Sequence, residues 1–180
     1  MRIRIARFAL ICLLPALAAA EDARLELPDF SSLAHKARES VNITLNPLLL
    51  HVAAAFMDEK DPDSAEAKKL LAGITSIEVR SYEFDSDFAY SADDIDAVRR
   101  QLAAPGWSQL LQVHDRKKSE DVDMYVFVKN NRTTGFALIS REPREFTIVN
   151  IVGSINPEDL PKLEEHLHLP KAAAHSSFVM

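Results

Sequence analysis

The chain is poor in the residues that build most familiar sites. Of its 180 residues, one is cysteine, one is tryptophan and four are glycine. Phosphate-binding loops bring backbone close to the ligand and are usually rich in glycine. Gly73, Gly106, Gly135 and Gly153 each stand alone, which argues against a P-loop or a dinucleotide-binding turn. No Gly-x-Ser-x-Gly occurs, so the local sign of a serine hydrolase is missing. Basic residues are also in deficit: 21 Lys and Arg face 27 Asp and Glu, for a formal charge of −6. A chain of that sign repels phosphate backbones and anionic headgroups, so nucleic acid and acidic membrane surfaces are poor partners.

The apolar run at residues 8–17 is broken by Pro15. It is far short of the roughly 18–20 residues that cross a bilayer. Arg2, Arg4 and Arg7 precede it, Ala18-Ala19-Ala20 follow it, and Glu21 and Asp22 restore polarity. A basic start, a short apolar stretch and a small-residue end are the pattern of a cleavable secretory signal. Residues 1–20 are therefore expected to be removed, with no transmembrane segment left. Cys12 sits between Ile11 and Leu13, without the small residue before it and the polar sequence after it that lipid attachment needs. The mature chain then holds no cysteine, which excludes disulfides and thiol chemistry. It keeps 160 residues, 18 basic and 27 acidic, for a charge of −9. That length fits one domain, residues 21–170, followed by a loose tail at 171–180.

Periodicity gives the elements. A short leading helix is expected over residues 27–38, capped by Asp29 or Ser31. Alternation over residues 40–45 predicts a strand. Asn46-Pro47 starts a helix over residues 48–57, apolar nearly all round and so expected to be buried. Asp61-Pro62-Asp63-Ser64 starts another, which Gly73 stops. Residues 74–84 read as a strand, with Ile77 and Val79 on one phase and Tyr82 and Phe84 on the other. Such a pattern requires two covered faces or a bulge. Ser91 and Asp94 resemble a capping box ahead of the helical face Ile95, Val98 and Leu102. Strands follow at 107–114, 122–129, 134–140 and 145–152, with a turn at Asn130-Asn131-Arg132. Asn156-Pro157 caps a last helix with Leu160, Leu163 and Leu167 inward. Short links between strands predict an α+β fold: a mainly antiparallel sheet of about five to six strands, a C-terminal meander, and helices packed on it.

Three stretches occur in a specific order and spacing: Val79-Arg80-Ser81-Tyr82-Glu83-Phe84; Val98-Arg99-Arg100-Gln101-Leu102 with Pro105-Gly106-Trp107; and Glu142-Pro143-Arg144-Glu145 leading to Val149-Asn150-Ile151-Val152-Gly153. Over residues 25–170 the chain resembles the bacterial domain-of-unknown-function 4252 family. The resemblance implies an envelope protein, periplasmic or lipid-anchored, and brings no activity with it. The proximity of relatives' genes to those of extracytoplasmic sigma factors points to envelope signalling.

Side-chain chemistry adds no motif. The six histidines, His35, His51, His114, His166, His168 and His175, form no His-x-x-x-His pair, so scattered surface residues are expected rather than a metal site. His51, on the apolar helix, is expected to be a hydrogen-bonded core residue. Asp85, Asp87, Asp93, Asp94 and Asp96 crowd one segment. Tyr90 and Asp96 stand where a calcium loop starting at Asp85 would need glycine and glutamate. No metal and no cofactor are expected, and no catalytic residue can be named. The best surface to test mixes aromatic and charged groups: Arg80, Tyr82, Glu83, Trp107, Arg141, Arg144 and Glu145. Such mixtures are common in interfaces and equally common as cross-strand pairs within a sheet. The expected function is a non-catalytic module that binds another envelope protein. A periplasmic small-ligand or lipid binder, with residues 48–57 lining a cavity, is the alternative, and a hydrolase with a dispersed site ranks last.

Overall fold

The computed structural model describes residues 23–58, 60–87 and 92–154. In chain order these form α1 (Ser31–Ala34), β1 (Glu39–Leu45), α2 (Pro47–Ala55), α3 (Pro62–Ala72), β2 (Ile74–Glu83), α4 (Ala92–Leu102), β3 (Trp107–Asp115), β4 (Glu120–Lys129), β5 (Arg132–Arg141) and β6 (Glu145–Gly153). The leader, Ser91 of the proposed Ser91–Asp94 capping box, the helix with Leu160, Leu163 and Leu167, and the tail at 171–180 lie outside the described residues.

Local chemistry sets the ends. Both α2 and α3 begin at an acceptor followed by proline: Asn46 Oδ1 accepts the Leu49 N–H at 2.9 Å, and Asp61 Oδ2 accepts the Ser64 N–H at 3.1 Å. Each satisfies one N–H that the first helical turn leaves unpaired. Asn130 and Asn131 adopt φ of 51° and 60°, which asparagine tolerates better than most residues, and so turn β4 back into β5.

The six strands pair only antiparallel, in the order β1-β2-β6-β5-β4-β3. Both faces are covered where β2, β6 and β5 cross the middle. On one face Ile77, Val79, Phe136, Leu138, Val149 and Ile151 pack under Leu50 of α2 and Leu71 of α3. On the other, Tyr82, Ala137, Ile139, Phe146 and Ile148 pack under α4 (Ile95, Val98, Leu102) and the leading residues Leu25, Phe30 and Leu33. The apolar residues on both phases of β2 therefore reflect two covered faces. The register shift in β2 lies at Ile74/Ser76, ahead of that pattern.

Two expectations change. Helix is confined to Ser31–Ala34 within the leading segment; ahead of it, side-chain amides bind the backbone of Ala23, Leu25 and Glu26. The α2 helix is not buried: Leu50 alone among its residues is, since α2 rests on the sheet margin, against β1 and β2.

Candidate interaction surface

The seven residues singled out from sequence do not form one surface. Tyr82 is buried in the core between Phe30 and Phe146, its OH donating to Asn42 Oδ1 at 3.2 Å, and burial raises its pKa above 10.0. It is therefore a packing residue, not an exposed contact. Arg80 is half-buried and ties β1 to β2. Its Nη1 donates to the carbonyls of Ile43 and Val79, each at 2.9 Å, and its Nη2 donates to Thr44 Oγ1 at 3.2 Å and pairs with Glu78 at 2.7 Å. Trp107 opens β3 and meets Phe127 edge-on, centroids 5.3 Å apart.

The remaining four gather at the opposite end of the sheet from Trp107. Register places Glu39, Glu83 and Glu145 side by side on β1, β2 and β6, and Arg141 beside Phe146. Arg38 pairs with Glu83, Arg144 Nε donates to Asp87 at 3.1 Å, and Arg141 binds Asp121, which also binds His114. Glu145 is half-buried. Burial raises its carboxyl above the ordinary value, the hydrogen bond from Thr147 opposes that, and the facing Glu83 adds to it. Most of these charges are held by neighbours in their own fold.

A second polar group lies under α4. Asp123 is 3% exposed, and its carboxylate accepts from Arg99 at 2.8 Å, Gln112 at 3.1 Å and Gln109 at 3.3 Å. A carboxylate held by three protein donors serves packing within the fold. Among the described residues, no group of three or more His, Asp or Glu is placed to hold a metal ion. Asp85 and Asp87 instead pair with Arg38 and Arg144.

The feature that sequence reasoning missed is the outer side of α2. Leu50, Ala53, Ala54 and Met57 turn toward the sheet, while Leu48, Leu49, Val52 and Phe56 are 71%, 44%, 45% and 87% exposed. Leu48, Val52 and Phe56 follow at helical spacing i, i+4, i+8 and so form one stripe with Leu49 beside it. The helix carries no charged side chain. His51, expected in the core, is exposed, with Nδ1 3.1 Å from the Pro47 carbonyl one turn back. Leu48 and Leu49 therefore face outward instead of lining an internal cavity. Single exposed leucines are ordinary, whereas a contiguous uncharged apolar stripe is uncommon on a protein surface. The sequence does hold a signal for it. Residues 40–57 contain no Asp, Glu, Lys or Arg, the longest such run in a chain that is 27% charged.

Among the described residues, no helix is long and apolar enough to cross a membrane. No curated protein and no solved structure matches the chain. The domain-of-unknown-function family DUF4252 matches residues 35–163, which takes in every strand of the sheet and all of α2, α3 and α4. The chain is thus a member of the DUF4252 family.

Proposed function

We propose that this protein is an exported, non-catalytic interaction module of the bacterial envelope, periplasmic and linked to envelope stress signalling, and that a protein partner docks on the outer face of α2. The leader pattern at residues 1–20 and the family's envelope association support the location. One observation carries the docking role: Leu48, Leu49, Val52 and Phe56 stand exposed on an uncharged helix. Burying large apolar side chains on association is favourable at about 25 cal/mol per Å² of apolar surface. Four neighbouring side chains make a hot-spot-sized anchor. The charged residues singled out from sequence serve less well, because Arg80, Glu83, Arg141 and Arg144 already pair within the domain.

The test is crosslinking in intact cells followed by purification of the tagged protein. A Val52→Glu/Phe56→Glu variant should lose its crosslinked protein while keeping its melting temperature, since both side chains are exposed. Retention of the same partner by this variant, with loss on Arg144→Glu, would move the docking site to the strand-end cluster.

A further inference from the structure

We propose that the chain pairs with a second copy of itself through β1, strand edge to strand edge about a two-fold axis, with the two α2 helices closing over the junction. The inference rests on the reading of α2 as a protein-docking face and names its occupant.

The first argument is the edge itself. Among the described residues, β1 ends the sheet and pairs with β2 alone. Its seven register pairs with β2 run without a shift. The other edge, β3, carries a register irregularity between Gln109 and Leu111. Proteins blunt exposed edges with charge, proline or bulges; β3 has the irregularity, and β1 has none of these between Ser40 and Leu45. Phe84 donates its N–H to Arg144, so even-numbered residues of β2 bond toward β6 and odd-numbered ones toward β1. By the same alternation Ser40, Asn42 and Thr44 direct their backbone N–H and C=O groups outward from β1.

The second argument is self-complementarity. Ile43 and Leu45 pack with the core beneath α2, and Val41 shares their phase; Ser40, Asn42 and Thr44 lie on the other face and are exposed. Antiparallel pairing centred on Asn42 sets Val41 against Ile43, Ser40 against Thr44, and Glu39 against Leu45. Val41 meets Ile43 and hydroxyl meets hydroxyl at Ser40 and Thr44; Glu39 faces Leu45 at each end, and no like charges face each other.

The third is charge. Two copies of a processed chain at −9 repel one another, so a contact between them needs a neutral patch. β1 from Ser40 onward, together with α2, supplies it as one continuous uncharged run. A two-fold axis perpendicular to the sheet keeps both α2 helices on one side of the joined sheet. Because α2 rests on β1 and β2, the two helices come to flank that axis.

Sedimentation equilibrium on the processed protein tests this with three variants. Ser40→Pro removes an outward N–H and leaves the β2 ladder intact. Val52→Glu charges the stripe. Asn42→Cys places the processed chain's one thiol at the axis. The expected result is a dimer that Ser40→Pro and Val52→Glu each weaken by about tenfold or more, and that Asn42→Cys locks as a disulfide under mild oxidation. Circular dichroism melts confirm that each variant is folded. A monomer at about 100 μM, or a dimer indifferent to both substitutions, overturns the proposal. If the protein is monomeric and Val52→Glu still abolishes a crosslinked partner, self-pairing falls and the docking role of α2 stands. If it is monomeric and Val52→Glu instead abolishes binding to phosphatidylcholine vesicles, both fall and the stripe is a lipid contact.

Discussion

Asn150 holds the leading segment against the sheet: its buried Oδ1 accepts the backbone N–H of Leu25 at 3.0 Å, across 125 residues of chain. The same side chain donates through Nδ2 to the carbonyls of Ala23 at 3.0 Å and Phe136 at 3.2 Å. Gln101 of α4 repeats the device one residue on, accepting the Glu26 N–H at 2.7 Å and donating to the Glu26 carbonyl at 2.8 Å. An extended segment has no ladder of its own, so side-chain amides satisfy its backbone. Asn150→Ala should therefore lower stability by about 2–4 kcal/mol in urea titration, with faster hydrogen exchange at Leu25. Gly135→Ala tests the same relationship by space alone, because a Cβ there would lie 2.1 Å from that of Ala23. Unaltered exchange at Leu25 in both variants would show that the segment is held by other contacts.

Glu145 makes stability depend on pH in a stated direction. Burial, and then the facing Glu83, raise its folded pKa above the unfolded value of about 4.5, against the opposing Thr147 hydrogen bond. The folded protein thus prefers the protonated form, and the ionised form destabilises it at neutral pH. That penalty disappears as pH falls through the raised pKa toward 4.5. Glu145→Gln should raise the melting temperature at neutral pH, modestly because the group is half-exposed, and the gain should shrink as the solution is acidified. A gain of constant size from pH 7 to about pH 4 would assign the effect to something other than ionisation.

Asp123 and Arg99 should be coupled. Removing Arg99 leaves the buried Asp123 carboxylate without its cation, and removing Asp123 leaves a half-buried guanidinium without its anion, so the two losses overlap. We expect Arg99→Met and Asp123→Leu each to lower stability by about 2–3 kcal/mol, and the double variant to lose clearly less than their sum. Additive losses would mean that the ion pair contributes nothing beyond the packing of its side chains.

Much of the architecture was legible because period and turn chemistry act locally. The alternation of β4, the two asparagines after it and the Asx-Pro starts of α2 and α3 each carry their own physical cause. Side of burial was harder to read. Tyr82 looked like a surface aromatic among charges, yet its phase on β2 points it under the leading segment, a contact made through Phe30, 52 positions earlier. The α2 helix misled in the opposite sense. An apolar helix reads as buried, and only its place at the sheet margin, fixed by pairing order, leaves one side uncovered. The anchoring of the leading segment escaped because Asn150 and Gln101 are far in sequence from the Ala23, Leu25 and Glu26 backbone that they bind.

Gly106 makes the sharpest local prediction. It adopts φ +97°, where a side chain is strained, and a Cβ would lie 2.5 Å from the Phe127 ring. Its carbonyl also accepts the Val128 N–H at 2.8 Å, so the turn before β3 cannot easily shift aside. Gly106→Ala therefore combines two penalties: the backbone term, about 1–2 kcal/mol, and the clash with a ring wedged against Trp107. Phe127→Leu separates them by freeing space while leaving φ unchanged. The loss caused by Gly106→Ala should be about 3 kcal/mol in the native background and fall toward the backbone term alone in the Phe127→Leu background. An equal loss in both backgrounds would mean that the ring yields without cost and that backbone conformation alone fixes glycine at this position.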